Sequence, residues 1–213
     1  MKTIIISFLV FLFSISGISQ TYDSIDKSTD KKPNKEIKGK PGSKRKQRGF
    51  TNITELDIAY GGVNVENYGS DNQFSTGLQT INGYQFSPYF SAGLGLGFIV
   101  YYQYQIPGIW EYPYVLTPLF VDFRVNFQDR PLSPFFSLDS GCIFYFNNTY
   151  VEVGTYINPN LGIKFFISPK TAMNLSLGYR YHANTITIGN FGKPNENVRQ
   201  TLNMISLKIG FTL

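Results

Sequence analysis

The chain has 213 residues, of which 42% are hydrophobic, 16% aromatic and only 15% charged, and its net charge is +5. A single cysteine, Cys142, excludes an internal disulfide, and one cysteine with one histidine is too small a set for a Cys/His metal site, so no metal or other cofactor is expected. After the first 19 residues no stretch reaches the roughly 18 apolar residues of a membrane-spanning helix, which excludes helical spans there.

Residues 1–19 have the layout of a secretory signal peptide. Lys2 gives a positive start, residues 4–18 are almost wholly apolar, and small side chains precede a cleavage at Gln20. The apolar run is shorter than the roughly 20 residues of a membrane-spanning helix, which makes a retained anchor the weaker alternative. We therefore expect an exported protein.

Residues 20–49 are rich in lysine, proline, glycine and serine and have too few apolar residues to offset their chain entropy. They are expected to form a disordered periplasmic linker. Its ten Lys and Arg residues against four Asp and Glu carry the positive charge of the protein. The basic part, residues 27–48, predicts either a solvated spacer or an arm that contacts the cell wall or another anionic surface. Export rules against a nucleic-acid partner.

From residue 50 onward, apolar side chains recur at every second position, which is the period of a β-strand. In the stretch LFVDFRVNF, residues 119–127, five apolar side chains alternate with Phe120, Asp122, Arg124 and Asn126. Seven further stretches give eight predicted strands. Several exceed the globular mean of about 5 to 6 residues, and about 9 to 11 tilted residues are enough to cross a bilayer.

The predicted connections alternate between short and long. The short ones are residues 87–88, 128–134 and 168–170, and the longer ones are residues 61–73, 105–113, 147–156 and 185–200. Aromatic residues cluster at both predicted strand ends, among them Tyr60, Tyr101, Tyr114 and Tyr145 near the longer connections and Phe50, Phe86 and Phe135 near the short ones. This pattern predicts a closed barrel with two aromatic girdles and both termini at the short-turn end.

Residues 50–213 therefore resemble the small eight-stranded outer-membrane β-barrels of Gram-negative bacteria, such as the transmembrane domain of the OmpA family. The chain departs from them at its end, where Leu213 replaces the terminal aromatic residue that such proteins often carry and Phe211 keeps the alternation. The resemblance implies an all-β, antiparallel, up-and-down transmembrane barrel in the outer membrane. It also implies contact with outer-membrane lipid and lipopolysaccharide, and we expect a monomer.

The polar face of the predicted strands carries balanced charges. The acidic residues are Glu55, Asp57, Asp122 and Asp139, and the basic ones are Arg124, Lys164, Arg180 and Lys208. An eight-stranded interior is only wide enough for side chains, and buried charges must pair, so we predict a structural salt-bridge network that plugs the lumen, with His182 near the lumen mouth. The alternative is a narrow pore for ions or small solutes. Since the opposite face is uncharged, a soluble lipocalin-like barrel or sandwich is disfavoured.

An enzymatic alternative rests on the stretches MNLSLGYRYHA and KPNE. His182 and Glu196 make this region similar to the lipid A 3-O-deacylase family, but Asn184 stands where that family has its nucleophilic serine, which leaves the histidine nothing to activate. We therefore expect no catalytic residues and a structural or interaction protein that acts through its outer loops. Trp110 and Tyr112 are possible loop contacts, or else a continuation of the aromatic girdle.

Overall fold

The computed structural model describes residues 48–102, 105–106, 109–110, 113–146, 151–168, 171–188 and 196–213. The predicted signal peptide, and the predicted linker before Arg48, lie outside these residues, and so does Tyr112. Within the described part of the chain, no helix is long and apolar enough to cross a membrane.

Eight long strands make up the structure. They are β1 (Gly49–Val65), β2 (Gly69–Gln85), β3 (Phe90–Tyr101), β4 (Tyr114–Asn126), β5 (Leu132–Phe146), β6 (Val151–Phe166), β7 (Ala172–Ile188) and β8 (Glu196–Thr212). Each is antiparallel to its neighbours in chain order, and β1 also pairs with β8, which closes the barrel. The predicted eight-stranded up-and-down barrel is confirmed. Between β3 and β4, Gln105–Ile106 and Ile109–Trp110 pair as a separate two-stranded ribbon.

The two faces of the barrel wall differ as the alternation predicts. Along β1, Leu56 and Ile58 are exposed on the outside, while Glu55 and Asp57, which alternate with them, are buried in the lumen. The same holds on β6, where Leu161 is 63% exposed and Lys164 is 4% exposed. A closed sheet with an apolar outside and a polar inside satisfies its backbone hydrogen bonds internally, which is the condition for crossing hydrocarbon.

The short turns, the start of β1 and the last residue of the chain lie at one end of the barrel. In two of these turns a serine hydroxyl caps the chain: Ser87 Oγ accepts the N–H of Phe90 at 3.1 Å, and Ser168 Oγ accepts that of Thr171 at 3.0 Å. The backbones of Asn52 and Leu213 exchange two hydrogen bonds, at 3.1 and 2.8 Å. These bonds join the first strand to the last residue of the chain.

At the opposite end of the barrel, the predicted loop at residues 61–73 is wrong. Residues 61–73 were predicted as a loop, but β1 and β2 continue through most of them and are joined by a tight turn at residues 66–68. Asn67 (φ 65°) and Gly69 (φ 117°) take the left-handed conformations that such a turn requires. The prediction failed because the polarity of the two faces is exchanged here: the alternation continues, but Val63 and Val65 are buried inside and Asn64 is exposed outside. The predicted loops 147–156 and 185–200 are likewise shortened by β6, β7 and β8.

The aromatic girdle also needs correction at four positions. Tyr114 and Tyr145 are partly buried and pack against the residues inside the barrel. Tyr101 and Phe135 point into the lumen and are 0% and 1% exposed, because their place in the alternation of β3 and β5 is an inward one. Position near a strand end was therefore not enough to assign a ring to the girdle. On the outside, a continuous row of rings does surround the short-turn end at β1 to β3. Its centroids lie 5.5 Å apart for Phe50–Tyr84 and 5.2 Å for Tyr84–Phe86.

Candidate functional site

The lumen holds a connected group of buried charges, which we name the lower ion network: Glu55, Asp122, Arg124, Asp139 and Lys208. Arg124 Nη2 lies 3.0 Å from Glu55 Oε1 and 3.2 Å from Asp122 Oδ2. Lys208 Nζ lies 2.5 Å from Asp139 Oδ2 and 3.8 Å from Glu55 Oε2. Because the five side chains come from β1, β4, β5 and β8, the network ties facing walls of the barrel together across the lumen.

The register explains why this network needs two cations. Asp122 and Asp139 are directly opposite each other on β4 and β5, where two like charges repel. Arg124 pairs with the first carboxylate and Lys208, from the distant strand β8, with the second. The amide of Gln79 adds a hydrogen bond to Glu55 at 2.9 Å. The contacts thus depend on barrel closure, since only closure brings β8 across from β5.

A second group, the upper ion pair, consists of Asp57 and Arg180. Both side chains are 1% exposed, and Arg180 Nη2 forms a salt bridge with Asp57 Oδ2. Its other terminal nitrogen, Nη1, donates to Ser75 Oγ at 3.0 Å and to the Tyr101 hydroxyl at 3.5 Å. The Tyr101 hydroxyl also lies 3.1 Å from Nδ1 of His182. His182 is 0% exposed, so it lies inside the packed lumen and not at its mouth, where it was expected.

Lys164 forms no salt bridge with either group. Its Nζ lies 5.3 Å from the centroid of the Phe166 ring, and no carboxylate of the described residues forms a salt bridge with it within 4.0 Å. Of the predicted loop contacts, Trp110 lies in the short ribbon between β3 and β4, and Tyr112 is outside the described residues. The predicted lumen residues therefore divide into a network of five, a pair beside His182, and a lysine without a salt bridge to the described carboxylates.

An apolar layer of buried residues lies inside the barrel toward the long-loop end, and sequence reasoning missed it. Its buried members include Val63, Val65, Ile99, Leu116, Ile143, Val198, Leu202 and Met204. Partly buried Tyr68, Tyr114 and Tyr145 pack against it. The signal was present in β1 and β8, where valine and leucine take over the inward positions that acids and lysine hold nearer the short-turn end.

Aromatic rings fill the remaining space between the charged side chains. The Arg124 guanidinium lies 4.9 Å from the centroid of the Phe135 ring, a cation–π contact inside the barrel. Phe120 and Tyr156 pack against each other with centroids 5.6 Å apart. Gly95 leaves room for Phe120, since a Cβ added at Gly95 would overlap that ring. The lumen is therefore filled by side chains over the charged section as well as over the apolar layer.

The chemistry available to these groups is limited by their partners. His182 pairs through Nδ1 with a tyrosine hydroxyl, and Ser75 accepts from Arg180, so neither forms a serine–histidine pair in the described contacts. Within the described residues no group of three or more His, Cys, Asp or Glu side chains is placed to hold a metal ion. Among the described residues, the arrangement holds the charged side chains of both groups in fixed pairs.

No family model and no curated protein matches the chain, whereas solved structures do. The outer membrane protein OprG from Pseudomonas aeruginosa has a TM-score of 0.53 and 10% identity over 80% of this chain and 98% of that chain. Neisserial surface protein A has a TM-score of 0.42 and 16% identity over 74% and 96%. The outer membrane enzyme PagL has a TM-score of 0.43 and 14% identity over 72% and 97%. The chain therefore has the fold of the small eight-stranded outer-membrane β-barrels.

Proposed function

We propose that the chain is a non-enzymatic outer-membrane barrel that does not conduct, and that it serves as a rigid scaffold for interactions at its long-loop end. This proposal rests on the observation that side chains pack across the lumen at two levels. Toward the short-turn end the lower ion network spans the barrel, and toward the long-loop end the apolar layer packs across it. An interior that only just accommodates side chains leaves no continuous water path once both layers are in place.

Planar-bilayer recording of the purified full chain tests the closed lumen. We expect no steady conductance, either for the wild type or for Arg124→Ala, because the apolar layer remains when the ion network is cut. Steady channels in the wild type that disappear in Arg124→Ala would establish the narrow-pore alternative. Arg124 is buried and paired with carboxylates, which supports the proposal of a closed lumen, because an ion path needs hydrated charges.

The burial of His182 supports the non-enzymatic part of the proposal. A lipid hydrolase needs its catalytic groups where acyl chains reach them. His182 instead lies buried in the lumen, beside Tyr101. Asn184, two residues further along β7, supplies no nucleophile. Mass spectrometry of lipid A from cells with and without the protein should show identical acylation. Loss of an acyl chain that depends on His182 would replace the scaffold proposal with a hydrolase.

Export by the predicted signal peptide and the location in the outer membrane are also part of the proposal. The apolar outside of the barrel supports the location, since side chains such as Leu94 and Ile205 are 65% and 63% exposed. Outer-membrane fractionation should recover the full chain, and its mobility on a gel should differ between unheated and boiled samples. Recovery in a soluble fraction without a mobility shift would contradict the membrane location. Binding through the loops, and contact of residues 27–48 with an anionic surface, stay predictions.

A further inference from the structure

One stretch of the outer surface departs from the apolar pattern. Asn52 and Thr54 on β1, with Thr80 and Asn82 on β2, form what we call the outer amide cluster. Asn52 lies directly opposite Asn82, and Thr54 directly opposite Thr80. By alternation all four belong to the face of the exposed leucines Leu56 and Leu78, and Asn52 itself is only 7% exposed. The cluster therefore belongs to the outside of the barrel and not to the lumen.

The cluster has an internal bonding pattern that leaves one donor group without a hydrogen bond among the described residues. Asn52 Nδ2 donates to Asn82 Oδ1 at 2.8 Å and to Thr80 Oγ1 at 3.2 Å. Thr54 Oγ1 donates to Asn52 Oδ1 at 3.4 Å. Among the described residues, no hydrogen bond uses the Nδ2 of Asn82 as its donor. The cluster thus presents an amide donor beside amide and hydroxyl oxygens.

The position of the cluster along the barrel places it within hydrocarbon. The Phe50 and Tyr84 rings mark the girdle, and Asn52 and Asn82 lie two residues further along their strands. With a rise of about 3.3 Å per residue and a tilt of about 40°, the asparagines lie roughly 5 Å and the threonines roughly 10 Å beyond the rings. The apolar band is about 25 Å tall, so the asparagines and the threonines both lie on the hydrocarbon side of the rings.

Lipid chains offer no partner for these groups, and a polar group without a partner is costly in hydrocarbon. An amide that both donates and accepts is self-complementary, which suits the symmetric contact of two identical chains. We propose that a second copy of this chain docks on the outward face of β1 and β2, with Asn82 of each chain donating to the other chain's cluster. This replaces the expected monomer and rests on the membrane location proposed above.

Cysteine cross-linking tests the proposed contact directly. In a Cys142→Ser background, Thr54→Cys places a thiol at the centre of the contact. Thr155→Cys is the matched control, because Thr155 is also an exposed threonine and lies on β6, three strands away around the barrel. In lipid vesicles, mild oxidation should give a disulfide dimer of Thr54→Cys and little dimer of the control. Equal cross-linking of the two variants, or none in either, would overturn the proposal.

A dissociation constant provides a second measure. Sedimentation equilibrium of the full chain in density-matched detergent should show a monomer–dimer equilibrium, and Asn82→Leu, which removes two symmetric hydrogen bonds, should raise its dissociation constant roughly tenfold. Thr155→Val should leave the constant unchanged. A heat-shifted monomer at every protein concentration would overturn the dimer while leaving the membrane location intact. A monomer that retains phospholipid, and loses it in Asn82→Leu, would assign the cluster to lipid and also overturn the dimer.

Discussion

Replacement of Arg124 by methionine should destabilise the barrel strongly. Methionine keeps much of the length of the side chain but leaves Glu55 and Asp122 without the cation that lies 3.0 and 3.2 Å from them. Removing one partner of a buried ion pair costs about 3 to 5 kcal/mol, because the other charge stays buried and uncompensated. Lys208 remains 3.8 Å from Glu55 and compensates part of that charge, so we expect about 3 kcal/mol.

The assay is equilibrium unfolding by urea of the full chain folded in lipid vesicles, followed by far-UV circular dichroism and by the gel-mobility shift. Arg130→Met is the matched control, because Arg130 is an exposed arginine in the turn between β4 and β5 and should change the free energy of unfolding by less than about 0.5 kcal/mol. Arg124→Met combined with Glu55→Gln should show a coupling of about 1 kcal/mol or more. Equal stability of Arg124→Met and Arg130→Met would refute the reasoning.

Three further changes test other parts of the structure by the same unfolding assay. Asp57→Asn leaves Arg180 with only neutral partners among the described residues, and it should cost about 3 kcal/mol; a change below about 0.5 kcal/mol would mean that the upper ion pair does not hold the barrel. Gly95→Ala places a methyl group against the Phe120 ring and should cost about 1 to 3 kcal/mol, whereas Phe120→Leu in the same background should recover part of that loss. Leu177→Lys puts a charge on the 58%-exposed outer face and should cost about 2 to 4 kcal/mol in vesicles if that face contacts the bilayer core, with Leu177→Val as the control.

Most of the correct predictions came from the alternation of apolar and polar residues along the strands. It placed Glu55 and Asp57 inside and Leu56 and Ile58 outside, because side chains on a strand point to opposite faces whatever its neighbours are. The same rule would have placed Tyr101 and Phe135 inside, had face been considered along with distance from the strand end. The expected polarity failed in residues 61–73, where the faces still alternate but Val63 and Val65 take inward positions and Asn64 an outward one.

The sequence by itself determined the class of structure: eight strands, two faces, short turns and termini at one end, and a set of charges confined to the inward face. These properties are local, since they follow from a two-residue period and from turn residues. The tertiary structure decided which charges meet. Arg124 pairs with Glu55 from β1, and Asp139 with Lys208 from β8, because closure and register bring distant strands across a narrow lumen. The register showed that Asn52 and Asn82 lie opposite each other on β1 and β2, and Lys164 forms no salt bridge with the carboxylates of the described residues.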